Sequence, residues 1–240
     1  TACIDSDMVE SARTPRTKAV IVVHLYGYPC ELPSTDLLVI EDAAQAHGAL
    51  RDPGRSPATA YSFYPTKNLG GIGDGGAVVT ADADLAERVR RLRVHGMTQQ
   101  YVHDDVSQNF RMSEVEAAWL RLALVQLDDD LSRRRAIVSA YRDAAPQLQW
   151  QADNARHAYH LAVFRSPART STRAALEQKG VATAVHYPLA ITQQPAYRDL
   201  IHAPCPQAEA WARECISVPC FPEMTDVEVE LVCTALGACE

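Results

Sequence analysis

Lys67 stands in a sequence setting that suits covalent chemistry at an amine. It follows an apolar segment at 60–63 that predicts a strand, and it precedes the glycine-rich stretch GGIGDGG at 70–76. A lysine attacks a carbonyl only when its own charge is suppressed, and a cleft whose glycines allow close backbone approach can supply that environment. The simpler alternative is an exposed loop lysine. The motif therefore needs support from a second group.

Asp42 is a candidate for that second group. Together with Glu41 it ends another apolar segment, at 37–40. Parallel α/β folds build their sites at the carboxyl ends of strands, so an acidic residue there is placed to line the same cleft as Lys67. An aspartate in this position could instead cap a helix or remain a solvated carboxylate. Its occurrence together with the lysine motif favours one shared site.

The glycine stretch also permits a nucleotide-binding interpretation, because residues 71–76 satisfy the pattern G-x-G-x-x-G. That fingerprint follows a strand and opens a helix, whose N-terminus binds the pyrophosphate. Here the next segment, at 77–80, is apolar and predicts a strand instead. Because the context of the pattern fails, we do not expect a dinucleotide site.

The elements that must position these residues form an α/β layer. Apolar segments at 19–23, 37–40, 60–63 and 77–80 predict strands. The first two are continuous rather than alternating, which is typical of a parallel sheet covered by helices on both faces. A helix should open near Asp82 and pack on this sheet.

A second helix is predicted to begin at Ser113. The spacing from Ser113 to Glu116 predicts a capping box, and Val115, Trp119 and Leu122 form an apolar stripe at helical spacing. The helix is long and should link two parts of the chain.

We expect residues 1–125 to form a large domain, and residues 126–240 to contain the linking helix and a small α/β domain. The predicted elements of the small domain are a strand at 159–164, a helix at 172–179 ended by Gly180, a strand at 182–186, and a final helix from Thr225 with a capping box to Glu228.

Composition excludes several classes of function. The 240 residues are 47% hydrophobic, as in an ordinary globular protein, and the net charge of -7 argues against a nucleic-acid-binding surface. No apolar run approaches the length needed to cross a bilayer. The seven cysteines are scattered and form no C-x-x-C pair, so neither a disulfide framework nor a metal site is expected. A reducing cytoplasm is the simplest compartment for such thiols.

Six segments, in this order, resemble the pyridoxal-phosphate-dependent sugar-nucleotide aminotransferases of the DegT/StrS type. They are VHLYG at 23–27, EDAAQAHGA at 41–49, SFYPTKNLGGIGDGG at 62–76, NFRMSE at 109–114, HYP at 186–188 and VPCFPEMT at 218–225. The resemblance covers nearly the whole chain. It implies an aspartate aminotransferase-like fold of type I, with a mixed, mostly parallel sheet, an incomplete N-terminal part and a small C-terminal α/β domain.

The resemblance also implies a role for individual residues toward pyridoxal 5'-phosphate. Lys67 would hold the cofactor as a Schiff base and move the proton, and Asp42 would pair with the pyridine nitrogen, keeping the ring able to accept electrons. Gln45 would contact the 3' oxygen, and Ser62 would donate to the phosphate. Asn109 would reach the phosphate of a neighbouring subunit, which implies a homodimer with shared active sites.

Four further residues lie in matching motifs at positions that could line the substrate mouth, and we assign none of them a role. They are His24, Tyr26, His186 and Tyr187. Buried aromatic and imidazole side chains commonly serve only packing and hydrogen bonding.

The implied reaction transfers an amino group, from a donor such as glutamate, to a keto-sugar nucleotide in amino-sugar biosynthesis. The form YPTKNLG at 64–70 is similar to members that act on 3-keto deoxysugars. One alternative is a related pyridoxal-phosphate sugar dehydratase, but those members carry histidine in place of the Schiff-base lysine. Another is a non-catalytic or partner-dependent subunit of the same fold.

The family pattern begins before Thr1, with a helix whose N-terminus holds the cofactor phosphate and with an aromatic residue that stacks on the ring. Without that segment, the cofactor contacts that remain to the phosphate are those of Ser62 and Asn109. We expect weaker cofactor binding and an exposed sheet edge that favours aggregation or a partner.

Overall fold

The computed structural model describes residues 2–50, 56–199 and 204–239. These form two compact units. The N-terminal unit consists of residues 3–129 together with 156–158, and the C-terminal unit consists chiefly of residues 130–155 and 159 onward.

The N-terminal unit is built on a four-stranded sheet in the order β1-β2-β3-β4. The strands are β1 (Ala19–Val23), β2 (Leu38–Asp42), β3 (Ala58–Ser62) and β4 (Gly76–Val79). The first three are parallel, and β4 is antiparallel to β3. The mixed, mostly parallel sheet expected from the sequence is confirmed, and all four strands lie within two residues of their predicted segments.

The expectation that β1 is buried on both faces is wrong. Val20 and Val22 are buried, whereas Ile21 is 61% exposed and its neighbour Val23 is also exposed. Successive side chains of a strand point to opposite faces, so one face of β1 packs against the protein and the other meets solvent among the described residues. Leu38 is exposed too, and it pairs with Ala19 on that second face.

Two helices and a hairpin also lie in the first half of the chain. They are α1 (Met8–Ala12), α2 (Ala83–Arg93) and a hairpin of β5 (Met97–Gln99) and β6 (Val102–His103). Helix α2 begins where predicted, because the Asp82 carboxylate accepts hydrogen bonds from the backbone N–H of Asp84 (2.9 Å) and Leu85 (3.0 Å).

The long helix α3 (Glu114–Ala144) begins after Ser113, as predicted. Ser113 Oγ accepts from the backbone N–H of Glu116 at 3.1 Å, which is one half of a capping box. The prediction that the Glu116 side chain completes the capping box is wrong. The Glu116 carboxylate accepts from the backbone N–H of Ile72 (3.2 Å) rather than from that of Ser113. A tertiary partner therefore replaces the local one.

The predicted apolar stripe of α3 is also wrong as a packing surface within the described residues. Val115 and Leu122 are 69% and 73% exposed, and Trp119 is exposed as well. The side chains that the helix buries in this region include Leu120 and Leu127, which lie on a different face. The periodicity of α3 permits both faces, and the tertiary contacts select the second.

The C-terminal unit contains a three-stranded antiparallel sheet and helices. Its elements are β7 (Gln149–Trp150), β8 (Ala162–Arg165), α4 (Arg169–Gln178), α5 (Pro206–Glu214), β9 (Cys215–Val218) and α6 (Asp226–Gly237), with strand order β7-β8-β9. Aromatic rings of Tyr141, Trp150 and Phe164 pack in its core, with centroids 6.5 Å and 5.2 Å apart. This is the small α/β fold expected for this part of the sequence.

Two sequence predictions in the C-terminal unit need correction. The strand predicted at 159–164 begins only at Ala162, since Tyr159 has a positive φ of 41°, which interrupts an extended strand. The segment 182–186 is not a strand, because its one ladder contact is an isolated bridge between Ala184 and Ser217. The helix predicted at 172–179 is confirmed as α4, and Gly180 follows it with a φ of +81°.

The sequence predicted scattered thiols and no disulfide framework, and one pair of cysteines departs from that prediction. Cys3 and Cys30 form a disulfide that connects the N-terminal segment to the loop after β1. Cys215, Cys220 and Cys239 are buried thiols, in line with the expected role as small apolar residues. Within the described residues no helix is long and apolar enough to span a membrane.

Helix α6 provides a test of the local signals. Thr225 Oγ1 accepts from the backbone N–H of Glu228 (3.3 Å), and Glu228 Oε2 accepts from that of Thr225 (2.8 Å), so the predicted capping box is confirmed. Thr225→Ala should lower the free energy of unfolding by about 1 kcal/mol, because an N-cap acceptor is lost. Thr225→Ser keeps the hydroxyl and should change it little. Urea unfolding followed by tryptophan fluorescence measures both, and equal losses would contradict the capping role.

Candidate active site

Asp42 and Ser62 lie at the carboxyl edge of the sheet, at the last positions of β2 and β3. Asp42 pairs with Ala60, and Ser62 is two residues further along β3. Residues two apart on a strand share a face, so Asp42 and Ser62 point to the same side of the sheet. The backbone N–H of His24, directly after β1, donates to the carbonyl of Asp42 at 3.0 Å. Three strand ends thus meet around Asp42.

Lys67 lies in the loop that connects β3 to β4. The loop is closed by backbone hydrogen bonds from Phe63 N–H to the carbonyl of Gly75 and from Gly71 N–H to the carbonyl of Phe63, both 2.8 Å long. Lys67 itself sits in a tight turn, where its N–H donates to the carbonyl of Tyr64 at 2.9 Å. The amine is therefore carried by an ordered turn and not by an extended surface loop.

Lys67 and Asp42 act on each other electrostatically. Lys67 is half-buried, and burial lowers the pKa of its amine below the ordinary value, while the negative charge of Asp42 works in the opposite direction. The balance leaves the pKa lowered, so the amine reaches its neutral, nucleophilic form at a lower pH than an exposed lysine. The structure brings these two predicted residues together.

The Asp42 carboxylate has one oxygen occupied and one available. Its Oδ1 accepts from the backbone N–H of Ala44 at 3.0 Å, which fixes the side chain in a local turn. Its Oδ2 has no hydrogen-bond partner in the part of the chain that the structure describes. A fixed carboxylate with one open oxygen can bind a protonated nitrogen.

Gln45 is buried, and its Oε1 accepts from the backbone N–H of Tyr26 at 2.6 Å. Tyr26 has a φ of 61°, in the left-handed region. Because a donor occupies Oε1, a contact from Gln45 to an oxygen of a bound group has to come from its Nε2 amide. Ser62 offers a donor as well, since its Oγ accepts from the backbone N–H of Tyr64 (3.3 Å) and an accepting hydroxyl keeps its own proton for donation.

Glu41, next to Asp42, points to the opposite face of the sheet and anchors a buried network that sequence analysis missed. His24 Nδ1 accepts from the backbone N–H of Cys30 (2.9 Å), so His24 donates through Nε2 to Glu41 Oε2 (2.9 Å). Ser56 and Thr59 donate to Glu41 Oε1 at 2.7 and 3.2 Å. Burial raises the pKa of Glu41, but these hydrogen bonds outweigh it and leave the pKa lowered. His24 therefore has a structural partner.

His47 lies in the motif at 41–49, and the sequence alone gave it no role. It is 3% exposed, and its ring lies 5.4 Å from that of Tyr61 and 6.0 Å from that of Phe63. Burial and, after it, the charge of Lys67 lower the pKa of His47 to about 4, while the backbone of Ser62 acts in the opposite direction. No group has hydrogen-bond geometry to either ring nitrogen among the described residues. Its position in that motif, five residues after Asp42, is the sequence feature that could have identified His47 as a site residue.

Asn109 is not brought to the other predicted residues. It is exposed, and its Oδ1 accepts from both the backbone N–H (3.2 Å) and the Nε (3.0 Å) of Arg111. No hydrogen bond joins it to Asp42, Ser62 or Lys67 within the described ranges. Because two donors occupy the oxygen, the Nδ2 amide faces away from Arg111.

His186 and Tyr187 belong to the C-terminal unit. His186 Nδ1 lies 2.9 Å from Ser217 Oγ, and the two rings of this dipeptide make an edge contact with centroids 5.6 Å apart. Burial lowers the pKa of His186. These contacts are structural, and they assign neither residue a chemical role.

The sequence pattern of the DegT/DnrJ/EryC1/StrS aminotransferase family matches residues 1–237. The chain belongs to this family. It is 40% identical over 242 residues to dTDP-3-amino-3,4,6-trideoxy-alpha-D-glucose transaminase of Streptomyces venezuelae, with 92% of this chain and 63% of that protein covered. It is 41% identical to the erythromycin biosynthesis sensory transduction protein EryC1 of Saccharopolyspora erythraea, with 98% and 69% covered. The chain thus spans about two thirds of the length of these relatives.

Solved structures of the DegT/DnrJ/EryC1/StrS family have the same fold. The crystal structure of S. venezuelae DesV in complex with a ketimine intermediate matches with a TM-score of 0.89 and 37% identity, and covers 98% of this chain and 68% of that one. A family member from Brucella abortus matches with a TM-score of 0.91 and 27% identity, over 98% and 69% of the two chains. The aspartate aminotransferase-like fold expected from the sequence is confirmed.

The depressed pKa of His47 predicts a pH dependence of stability. The folded pKa of about 4 lies below the ordinary 6.5, so the unfolded chain binds a proton first as the pH falls. Between pH 6.5 and 4 the free energy of unfolding should fall by on the order of 2–3 kcal/mol from this group alone. His47→Phe keeps a ring against Tyr61 and should flatten that slope in urea unfolding. His103→Gln, at an exposed position, should leave the slope in place. An unchanged slope in His47→Phe would contradict the assignment.

The opposing effects on Lys67 predict the result of removing the Asp42 charge. Asp42→Asn leaves burial unopposed, so the pH midpoint at which Lys67 becomes reactive should move to lower pH. The rate of acetylation of Lys67 by limiting acetic anhydride, followed by mass spectrometry across a pH series, measures that midpoint. Asp74→Asn, an exposed carboxylate in the same stretch, is the control. A midpoint that stays or moves upward in Asp42→Asn would show that the two groups are not coupled.

Proposed function

We propose that this chain carries a pyridoxal-phosphate site and takes part in the transfer of an amino group to a keto-sugar nucleotide. The observation that supports this most directly is that Lys67, an amine whose pKa is lowered by burial, lies within electrostatic reach of Asp42 at the carboxyl edge of the sheet. An amine prepared to react with an aldehyde and a carboxylate prepared to bind a protonated ring nitrogen are the two groups that the cofactor requires.

The donor set around Lys67 fits the cofactor. Asp42 and Ser62 share a face of the sheet, so the carboxylate and the hydroxyl would both be placed to hold one bound group. The open oxygen of Asp42 suits a cationic N–H. The hydroxyl of Ser62 and the Nε2 amide of Gln45 are donors, which suits a phosphate and a ring oxygen. When bound, the cofactor supplies an electron-accepting ring that stabilises a carbanion at the carbon bearing the amino group.

Each residue contributes through a stated atom. Lys67 would hold the cofactor aldehyde through Nζ and would hold and move the proton at the carbon bearing the amino group. Asp42 would keep the ring nitrogen of the cofactor protonated through Oδ2, because a carboxylate at contact distance favours the cationic form. Half-burial of Lys67 excludes part of the solvent, and this favours the neutral amine over the ammonium.

The substrate proposal rests on the relatives. Two proteins at 37–40% identity are a dTDP-3-amino sugar transaminase and a UDP-N-acetyl-3-dehydro-alpha-D-glucosamine 3-aminotransferase of Acidithiobacillus ferrooxidans. Both names place the nitrogen on carbon 3. We therefore propose a 3-keto sugar nucleotide as the acceptor and an amino acid such as glutamate as the donor.

A homodimer with shared sites is part of the same proposal. Asn109 is exposed and presents its Nδ2 amide away from Arg111, an orientation that suits donation to the phosphate of a second subunit. We also propose that residues 1–125 supply the cofactor site and residues 126–240 the small domain. A cytoplasmic location suits the five thiols at 205, 215, 220, 233 and 239, whereas a reducing compartment disfavours the Cys3–Cys30 disulfide.

Amino transfer is tested by incubating the chain with pyridoxal phosphate, glutamate and a dTDP-3-keto-6-deoxyhexose, and by detecting the amino sugar nucleotide by mass spectrometry. Lys67→Ala should lower the rate by roughly 10²- to 10⁴-fold, the contribution of a positioned proton-transfer group. Lys179→Ala, a lysine of the C-terminal unit, is the matched control and should not. A folded chain that binds the cofactor on Lys67 yet yields no product would favour the non-catalytic alternative.

A further inference from the structure

The loop that carries Lys67 is held from outside by the first turns of α3. Glu116 Oε2 accepts from the backbone N–H of Ile72 at 3.2 Å, and Trp119 Nε1 donates to the carbonyl of Gly70 at 3.0 Å. Glu116 and Trp119 are three residues apart on a helix and so lie on neighbouring faces. Their two hydrogen bonds reach the loop three and five residues after Lys67. The loop therefore has a rigid helical support.

The Glu116 carboxylate occupies the space that a side chain at residue 71 would take. A Cβ built on Gly71 would overlap Glu116 Oε1 and would lie 3.0 Å from the carbonyl oxygen of Phe63. At Gly73 the same construction meets Glu116 Oε2 only at 3.8 Å, an ordinary contact. The glycine at position 71 is thus required for the carboxylate to enter the loop.

This support leaves one buried polar atom unsatisfied. Glu116 is 4% exposed, and its Oε1 has no hydrogen-bond partner among the described residues. A buried acceptor without a partner is destabilising, and such atoms in native structures call for an explanation beyond stability. The same carboxylate has its other oxygen on the Lys67 loop, which points to the loop as the explanation.

We propose that Glu116 is a positioning residue for Lys67, acting with Trp119 to hold the 63–75 loop so that the amine stays half-buried beside Asp42. This inference rests on the proposed pyridoxal-phosphate function. Glu116 touches neither Lys67 nor the reacting atoms, and it acts through the backbone of Ile72. Release of the loop would expose the amine to water and remove the burial that lowers its pKa.

The hydrogen bond from Ile72 N–H requires a side-chain acceptor of the length of glutamate at position 116, so variants that keep and remove this acceptor should behave differently. Glu116→Gln keeps an oxygen for Ile72 N–H and offers an amide donor to the space beside the Phe63 carbonyl, so it should preserve the loop. Glu116→Ala removes the acceptor and should release it. Trp119→Phe keeps an aromatic ring but removes the donor to Gly70 with part of the indole, and it should change Lys67 in the same direction as Glu116→Ala.

The first measurement uses no cofactor. The pH midpoint for acetylation of Lys67, resolved by mass spectrometry in the full chain, should move upward in Glu116→Ala and in Trp119→Phe and stay in place in Glu116→Gln. A loss of global stability alone would not move this midpoint in a chain that remains folded at the pH of the assay. An unchanged midpoint in both Glu116→Ala and Trp119→Phe overturns the proposal.

The second measurement uses pyridoxal phosphate and borohydride. Covalent labelling of Lys67 should slow by roughly 10- to 100-fold in Glu116→Ala, since a misplacement of about 1 Å costs up to about 10²-fold, and Glu116→Gln should restore it. If the unsubstituted chain never takes the label, the proposed function fails, while the acetylation midpoints still decide the role of Glu116. If all variants label Lys67 at the same rate, the positioning role fails and the cofactor site stands.

Two glycine substitutions, one that would collide with Glu116 and one that would not, test the proposal if Glu116→Ala does not fold. Gly71→Ala should displace the carboxylate and raise the acetylation midpoint of Lys67, whereas Gly73→Ala should not. Equal midpoints in these two variants would contradict the proposal, because only the first substitution competes with Glu116 for space.

Discussion

The parallel pairing of β2 with β3 is the constraint on which the site depends. It places Asp42 opposite Ala60, two residues before β3 ends at Ser62, so the chain leaves the sheet beside a carboxylate and turns back within a few residues to present Lys67. Burial and the Asp42 charge act on the pKa of Lys67 in opposite directions, and burial prevails. A lysine on an exposed loop would lack this burial and would keep the ordinary pKa of an amine.

Because side chains of β2 alternate between the two faces of the sheet, the adjacent residues Glu41 and Asp42 have different roles, one in the buried network and one in the site. Glu41 faces the buried side, where His24, Ser56 and Thr59 hydrogen-bond it and tie β1 and β3 to β2. Asp42 faces the other side, with one oxygen fixed by Ala44 N–H and one open. The buried network makes the strand ends rigid, and the neighbouring residue uses that rigidity for chemistry.

Local signals allowed much of this fold to be predicted. The caps at Asp82 and Thr225 and the apolar strand segments depend on residues close in sequence, and the structure contains them. The failures involve partners far away in the chain. The Glu116 carboxylate accepts from the backbone N–H of Ile72 instead of completing the cap of its own helix. Cys3, before the first strand, forms a disulfide with Cys30, after it. The burial of His47 likewise depends on distant residues, because Tyr61 of β3 and Phe63 of the following loop pack against its ring.

The most direct test of the account is the site of covalent modification by pyridoxal phosphate. The chain contains three lysines, Lys18, Lys67 and Lys179, and the first and last are exposed. After borohydride reduction at neutral pH, mass mapping should find the label on Lys67, and the visible absorption of the mixture should vanish in Lys67→Ala. A folded chain that takes no label, or takes it equally on all three lysines, would contradict the central claim.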